Sequence, residues 1–209
     1  MTSERGQTTP FFLCFLVVMT MFVGLEILSV SLYVLAGLSR DEEGSQESAI
    51  KYFLLGAFAS GFLLYGIALI YGSAGSVHLQ TLRDVGGAGN ENARLLATVG
   101  LGLILVGFGF KASFAPFHQW TPDVYQGAPT NVTGFMAAVS KVGAIGALYR
   151  IIDHAEGFQT VWLPALSVIA VLTMLWGNLV ALRQTDVKRM LGYSSVGQAG
   201  YLLVGLIAH

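Results

Sequence analysis

The sequence predicts an all-α polytopic membrane protein with about six transmembrane helices, one of which is discontinuous. Of its 209 residues, 54% are hydrophobic and 11% are charged, and the mean hydropathy is +0.66, outside the soluble range. Apolar runs of ~20 residues or more recur along the chain, and each is long enough to cross a bilayer. In the third run, Lys111 and Pro116 place a charge and a helix breaker together at membrane depth.

The apolar runs divide a single predicted membrane domain, residues 1–209, into spans and loops. Residues 1–9 are polar, and the spans are predicted at about residues 10–38, 48–71, 94–118, 130–151, 160–182 and 190–209. Residues 72–93 are predicted as a polar loop, 121–129 as a turn, and 192–195 as an interruption of the last run. This run is still apolar at the end of the chain, so we expect a fragment of a longer protein.

The composition also limits the partners and cofactors of the chain. A formal net charge of -1 argues against nucleic-acid binding, which needs a basic surface. The single cysteine, Cys14, lies in an apolar run and provides neither a disulfide framework nor a metal-ligand cluster. We therefore predict no metal site and no cofactor site in this chain, and the lipid bilayer as its surroundings.

Basic residues in alternate loops give an orientation. One side carries Arg40, Arg183, Lys188 and Arg189, with Lys51 close by, and the other carries Arg83, Arg94 and Arg150. The first side is predicted to be cytoplasmic, by a small margin.

Three charged residues lie deepest in the apolar runs: Glu26, Lys111 and Lys141. Each costs about 2.5 to 3.5 kcal/mol at the centre of a helix in lipid, so each is expected to face the bundle interior or water. A buried lysine whose carboxylate partner comes and goes releases and rebinds a proton, and this predicts a proton relay. The alternative is a static buried ion pair that only locks helices together.

The predicted helix break adds a polar backbone and a histidine to this region. Pro116 removes a backbone hydrogen bond, and freed backbone groups at membrane depth are tolerated only beside protein or a water-filled cavity. His118 titrates near neutrality and is a candidate relay in that cavity. The alternative for His118 is an interfacial histidine bonded to a loop carbonyl.

Several neighbouring residues have weaker functional predictions. Lys51 is a candidate relay or modulating residue, or a lysine that extends to the lipid headgroups. Lys188 either modulates transfer or only sets topology. Asp123 is predicted as a turn or helix-cap residue, and Trp120 and Tyr125 as interfacial anchors.

Residues 110–129, which read FKASFAPFHQWTPDVYQGAP, resemble the signature of the antiporter-like membrane subunits of respiratory complex I. The ending DVYQGAP is similar to the N branch of this family rather than to the L and M branches. Four other stretches agree with the resemblance: residues 22–29, 48–52, 139–141 and 187–195.

The resemblance implies an inverted-repeat antiporter-like fold of fourteen helices, of which this chain supplies roughly the fifth to the tenth. Each of the two five-helix repeats contains one discontinuous helix. The family's proton route pairs a glutamate on the fifth helix with a lysine on the broken seventh, and continues to a lysine on the eighth. Those roles fall on Glu26, Lys111 and Lys141, and Lys51 has a family counterpart near the glutamate.

The chain departs from the family pattern in two places. Many relatives have a histidine three residues after the Ser-Ser pair that follows the basic connector, whereas this sequence has Ser194, Ser195 and then Gln198. The match is poor before Met21, and the terminal lysine site of the second repeat lies beyond His209. We therefore expect that the fragment does not pump by itself.

The resemblance implies a proton-translocating subunit of NADH:quinone oxidoreductase in the inner (plasma) membrane of a bacterium, in preference to an organelle inner membrane. The chain contributes to that enzyme as a subunit without a redox centre. NAD, flavin, iron-sulfur clusters and quinone are expected in partner subunits, and the other membrane subunits of the complex are its partners. Two alternatives remain: a subunit of a multisubunit cation/proton antiporter, against which the Tyr125-Gln126-Gly127 signature argues, and a purely structural subunit.

Overall fold

A computed structural model describes residues 22–76, 78–87 and 89–208, and this part of the chain is helical without strands, which confirms the predicted fold class. Residues 1–9 and Cys14 lie outside the described ranges. The α-helices are α1 (Phe22–Ala36), α2 (Glu43–Ala74), α3 (Leu79–Gly87), α4 (Glu91–Ala112), α5 (Trp120–Gly127), α6 (Thr130–Phe135), α7 (Lys141–Asp153), α8 (Gln159–Ala181) and α9 (Val187–Ile207). A π turn, Met136–Ser140, joins α6 to α7, and a 3-10 turn, Glu156–Phe158, precedes α8.

Five helical segments of the described chain are long and apolar enough to cross a membrane: Glu43–Ala74, Glu91–Ala112, Thr130–Asp153, Glu156–Ala181 and Val187–Ile207. The shorter apolar helix α1 accompanies them. Between 22% and 44% of each span's most apolar window is buried inside the structure, so most of the apolar surface faces outward. This arrangement is typical of helices whose outer surface contacts lipid or further membrane helices.

Three segments differ from the sequence prediction. The predicted loop 72–93 contains α3, because Leu82 and Val85 on one face of this helix are buried. The predicted turn 121–129 is mostly α5, whose Trp120 and Val124, one helical turn apart, are both buried. The predicted interruption 192–195 is continuous helix within α9, since tertiary packing outweighs the modest helix propensities of glycine and serine there.

Close helix packing depends on glycines. A side chain at Gly66 on α2 would approach the carbonyl oxygen of Gly100 on α4 to 2.7 Å. A side chain at Gly177 on α8 would approach the backbone nitrogen of Gly197 on α9 to 2.5 Å. Small residues at these crossings let the backbones meet, which is the usual basis of helix association in membranes.

An aromatic core lies where α1, α2, α4 and α5 meet. Its largest members are Tyr33, Tyr52, Phe110, Trp120 and Tyr125. Trp120 and Tyr125 are only 1% and 2% exposed, so their prediction as interfacial anchors is wrong. The short helix α5 packs against both α2 and α9 and places these rings inside the bundle.

Ion pairs between charged side chains lie at the two ends of the bundle. Lys51, Asp123 and Arg189 meet at one end, whereas Arg83 pairs with Glu156 at the other. This grouping agrees with the two sets of basic residues that the sequence assigns to opposite sides. Which end is cytoplasmic stays a prediction.

Candidate functional site

The predicted helix break is confirmed between α4 and α5. Helix α4 ends at Ala112, and Ser113 follows in the left-handed conformation with φ of 66°. The backbone groups of the break find protein partners: Ala115 N-H donates to Thr173 Oγ1 on α8 at 2.9 Å, and Phe110 C=O accepts from Trp120 Nε1 at 2.9 Å. Nonhelical backbone is thus buried against side chains rather than exposed to lipid.

Lys111 lies in the last turn of α4, directly before the break. Its Nζ donates to Ser29 Oγ on α1, and Ser29 Oγ donates in turn to the Leu25 carbonyl at 2.5 Å. The same Nζ lies 6.0 Å from the ring centroid of Tyr33 and 5.9 Å from that of Tyr52. The lysine therefore donates to a hydroxyl and lies on one side of two adjacent aromatic rings, whose centroids are 4.7 Å apart and whose faces attract a cation.

Glu26 lies on α1, three residues before Ser29 and so on the same helix face. Its Oε1 accepts a hydrogen bond of 2.5 Å from Ser60 Oγ on α2. Glu26 also interacts electrostatically with Lys111. The structure thus brings these two predicted residues into one polar centre, formed by Glu26, Ser29, Ser60 and Lys111, which we call the Lys111 centre.

Lys141 is the first residue of α7 and is only 4% exposed. Its Nζ donates to the carbonyl of Ser195 at 2.7 Å and to the Ser195 hydroxyl at 2.6 Å, both on α9. No carboxylate in the described residues forms an ion pair with it. We call Lys141 and Ser195 the Lys141 centre.

A π turn stands immediately before Lys141. Residues Met136–Ser140 form it, and Ser140 Oγ donates to the Met136 carbonyl at 2.5 Å. Single π turns are rare in helices and are frequent at functional sites. No pattern in the amino-acid sequence predicts this π turn.

Three aromatic side chains lie between the two centres. The Tyr52 ring stacks on Trp120 with a centroid distance of 4.5 Å, and Trp120 meets Tyr125 edge to face at 6.1 Å. The Tyr125 hydroxyl lies near Ser195 but outside hydrogen-bond geometry, and it and the Tyr52 hydroxyl are buried without a protein partner. Buried hydroxyls of this kind are positions where bound water is expected.

His118 lies within the break, and its side chain is buried. Its ring centroid is 6.2 Å from that of Trp176 and 6.4 Å from that of Tyr193. Its Nδ1 is buried without a hydrogen-bond partner, so this atom is not bonded to a loop carbonyl. Within the described residues, no hydrogen bond joins His118 to Lys111 or Lys141.

Asp123 lies in the first turn of α5 and joins three helices. Its Oδ2 accepts from Lys51 Nζ on α2 at 3.1 Å, and its Oδ1 accepts from Arg189 Nη1 on α9 at 2.5 Å. Lys51 Nζ is also 2.6 Å from Glu47 Oε1. We call Glu47, Lys51, Asp123 and Arg189 the Asp123 cluster. The prediction of Asp123 as a turn or cap residue is wrong, because its carboxylate forms these ion pairs and no side chain caps α5.

The ion pairs keep Asp123 charged. Partial burial by itself would raise the pKa of the carboxyl, but hydrogen bonds from Lys51 and Arg189 outweigh burial and hold the pKa below its usual range. Helix α5 is not among the segments long enough to span a membrane, and the Asp123 cluster lies at an end of the bundle.

Lys51 is separated from Glu26 in this structure. Glu26 is bonded to Ser60, which lies nine residues after Lys51 on α2, a rise of about 13.5 Å along the helix. Lys51 instead faces Asp123 and Glu47 at the bundle end, with its side chain 41% exposed. The resemblance implies a lysine near Glu26, but Lys51 does not lie near Glu26 in this structure.

Lys188 is close to the end of α5. Its Nζ donates to the Ala128 carbonyl at 2.7 Å, immediately after the last residue of that helix. Carbonyls at a helix C-terminus attract cations, so this contact stabilises the connection from α5 to α6. The structure does not bring Lys188 into contact with Lys111 or Lys141.

The serine partners of the buried charges were missed from the sequence. Ser29, Ser60 and Ser195 are ordinary residues in a membrane helix, where serine hydroxyls usually bond to their own backbone. Ser29 follows Glu26 by three residues, and this spacing indicates that both side chains lie on the same face of α1. Ser60 and Ser195 become identifiable only when the helices are packed.

The family profile described as NADH:quinone oxidoreductase/Mrp antiporter, TM, matches residues 17–209. NADH-quinone oxidoreductase subunit N of Salinibacter ruber is 54% identical over 190 residues, covering 90% of this chain and 38% of that protein. The protein of the same name from Saccharopolyspora erythraea is 53% identical over 192 residues, covering 91% of this chain and 37% of the relative. The chain therefore spans little more than a third of the length of these curated relatives.

Solved structures agree with these relatives. Respiratory complex I from Thermus thermophilus contains a chain with 47% identity and a TM-score of 0.75, matched over 89% of this chain and 39% of that one. The Mrp complex from Dietzia gives 29% identity and a TM-score of 0.80, over 90% of this chain and 35% of that one. The resemblance drawn from residues 110–129 is confirmed: this chain belongs to the NADH:quinone oxidoreductase/Mrp antiporter family of membrane proteins.

Proposed function

We propose that this chain is part of a proton-translocating membrane subunit of an NADH:quinone oxidoreductase, and that protons move through Glu26, Lys111 and Lys141. One observation carries the proposal: the half-buried Lys111 and the buried Lys141 both bind serine hydroxyls rather than carboxylates. A lysine fixed in a direct ion pair would hold its proton, whereas a hydroxyl accepts or passes one through a short hydrogen bond. This argues against charges that only lock helices together.

The Lys111 centre supplies the charge dependence of the proposed transfer. Glu26 favours a proton on Lys111, and protonation or movement of the carboxylate weakens that preference. A proton released from Lys111 then leaves a neutral amine beside Ser29 Oγ. The lysine is charged again when a proton returns from the side of Glu26, so the cycle conserves protons and charge.

The Lys141 centre is the proposed acceptor: its amine, left neutral when Lys141 passes its own proton onward, takes up the proton from Lys111. Transfer from Lys111 passes the aromatic residues Tyr52 and Tyr125, whose unpaired hydroxyls bind water that bridges the gap. Ser195 holds the Lys141 amine in place by two acceptors, one of which does not depend on its side chain. His118 is a candidate branch of the route and belongs to neither centre.

The rest of the proposed enzyme lies in other subunits. NADH oxidation and quinone reduction, with their flavin and iron-sulfur clusters, take place in partner subunits, and this chain contributes proton transfer without a cofactor of its own. Its partners are the other membrane subunits and the lipid of a bacterial inner membrane. The identity of 54% to subunit N of Salinibacter ruber, against 29% to the Mrp complex chain, favours this function over a cation/proton antiporter.

Replacement of Lys111 by methionine tests the proposal. The variant is made in the full-length protein within its membrane complex, and NADH-driven acidification of inverted membrane vesicles is measured beside native-gel assembly. We expect proton uptake to fall about 100-fold, the scale of a lost proton-transfer group, with normal assembly. The matched control is Arg40→Met, which removes an exposed cation. Full proton uptake in an assembled Lys111→Met complex would overturn the proposal, and loss of assembly alone would favour the structural alternative.

A further inference from the structure

We propose that Asp123 is a positioning residue for proton transfer between Lys111 and Lys141, because its carboxylate ties α5 to both α2 and α9. The inference rests on the proposed function and adds a residue to it. Asp123 does not touch either lysine. It acts through the short helix that lies between them.

Helix α5 contacts the surroundings of both centres. At its first residue, Trp120 Nε1 donates to the carbonyl of Phe110, the residue before Lys111. On the other side, α9 comes so close that a side chain at Gly192 would approach Pro122 Cα to 3.1 Å. Ser195, which holds Lys141, follows Gly192 by one turn on the same face of α9.

The Asp123 cluster fixes this helix from two sides. Lys51 approaches one carboxylate oxygen from α2 and Arg189 approaches the other from α9. Arg189 also donates to Gln126 Oε1 at 3.1 Å, and Ser48 Oγ donates to the Asp123 carbonyl at 3.2 Å. All these partners contact the polar face of α5 and fix the position of this helix.

An eight-residue helix needs such contacts. Isolated helices shorter than about 12 residues are marginal, so α5 takes its position from its neighbours. Without the Asp123 charge, two cations remain in the cluster, Lys51 and Arg189, with only the exposed Glu47 to balance them. Their repulsion separates α2 from α9 at the end where α5 is held, and the spacing between the two lysine centres changes.

The test uses the full-length protein in its assembled membrane complex. Asp123→Asn is compared with Asp123→Glu, Arg189→Gln and the double variant Asp123→Asn with Arg189→Gln. NADH-driven proton uptake is measured with quinone reduction in uncoupled vesicles and with native-gel assembly. The matched control is Asp41→Asn, which removes an exposed acidic charge at the same end of the bundle.

We expect Asp123→Asn to lower proton uptake roughly tenfold, less than the ~100-fold loss that a 1 Å misplacement of reacting groups can cause. Asp123→Glu restores most of the rate, because it returns the charge. Arg189→Gln lowers the rate, and the double variant falls no further than Asp123→Asn alone, since Asp123→Asn already breaks the ion pair with Arg189. Asp41→Asn has no effect.

Three results would overturn the inference: proton uptake at the wild-type rate in Asp123→Asn, no recovery in Asp123→Glu, or additive losses in the double variant. If Asp123→Asn does not assemble, Arg189→Gln decides, because it keeps the carboxylate and breaks only the contact with α9. A wild-type rate in that variant rejects the inference. Lys111→Met in the same series separates the two proposals: if it is inactive while Asp123→Asn is normal, only the role of Asp123 fails.

Discussion

Lys111 is half-buried and Lys141 is buried, and the two lysines have different surroundings. Lys111 has a serine hydroxyl, the rings of two tyrosines and a carboxylate within electrostatic range. Lys141 is bound only to Ser195 among the contacts described and has no ion-paired carboxylate in the described residues. Both ends of the proposed transfer are lysine amines. Any difference in how they release and bind protons therefore has to come from the residues around each amine.

Of the two lysines, only Lys111 is expected to respond to the charge of a neighbouring carboxylate. A change in the charge of Glu26 alters the energy of the proton on Lys111, because charges interact strongly in a poorly solvated interior. Within the part of the chain that the structure describes, Lys141 has no ion-paired carboxylate, and in the proposed transfer it responds to protons that reach it. The pair therefore consists of one group controlled by charge and one held by neutral acceptors.

Glu26→Gln gives the largest expected difference between the centres. It removes the carboxylate charge near Lys111 and keeps an acceptor for Ser60, while Lys141 loses nothing. Proton uptake should fall at least about tenfold, which corresponds to ~1.4 kcal/mol in a barrier. NADH-driven acidification of vesicles measures it, with Glu42→Gln as an exposed acidic control. An unchanged rate would mean that Lys111 is as independent of charge as Lys141.

Removal of the serine hydroxyls is expected to slow proton uptake by an intermediate factor. This factor should differ between the Lys111 centre and the Lys141 centre. Ser29→Ala deprives Lys111 of its hydroxyl partner, whereas Ser195→Ala leaves Lys141 bonded to the backbone carbonyl. One net hydrogen bond is worth about 1 kcal/mol, so we expect proton uptake to be roughly fivefold slower in Ser29→Ala than in Ser195→Ala. Ser31→Ala is the control, because that hydroxyl is bonded to its own helix. Equal losses in the two variants would contradict the comparison.

Substitutions at Tyr52 give the smallest expected change. A cation over an aromatic face gains about 0.5 to 2 kcal/mol, and phenylalanine keeps that face. Tyr52→Phe should therefore transfer protons faster than Tyr52→Leu, by a few-fold, in the same vesicle assay. If the two variants are equally slow, the hydroxyl rather than the ring serves the Lys111 centre.

The sequence is sufficient to identify the buried charges and the helix break. Glu26, Lys111 and Lys141 stand out because charged residues are rare in apolar runs, and Pro116 marks the break by its missing N-H. The partners depend on the packing of helices that are distant in sequence: Asp123 is 72 residues from Lys51 and 66 from Arg189. Because these partners are so distant in sequence, the ion pairs of Asp123 leave no recognisable pattern in the residues around it.

The aromatic residues show a second limit of sequence reasoning. Trp120 and Tyr125 follow a polar break, a pattern typical of the membrane interface. In the structure, α5 lies against α2 and α9, and this packing buries both rings. The direction in which a chain turns after a break is set by tertiary contacts that the local sequence does not contain.

The π turn before Lys141 has a geometric consequence for the direction of that side chain. It holds one more residue than an α-helical turn, and each residue turns an α-helix by roughly 100° about its axis. Lys141 faces Ser195, while its neighbour Val142 is 70% exposed on the outside of the bundle. Deleting one residue from Met136–Ser140 would rotate the following helix by about a quarter turn, and the ammonium group would point away from α9.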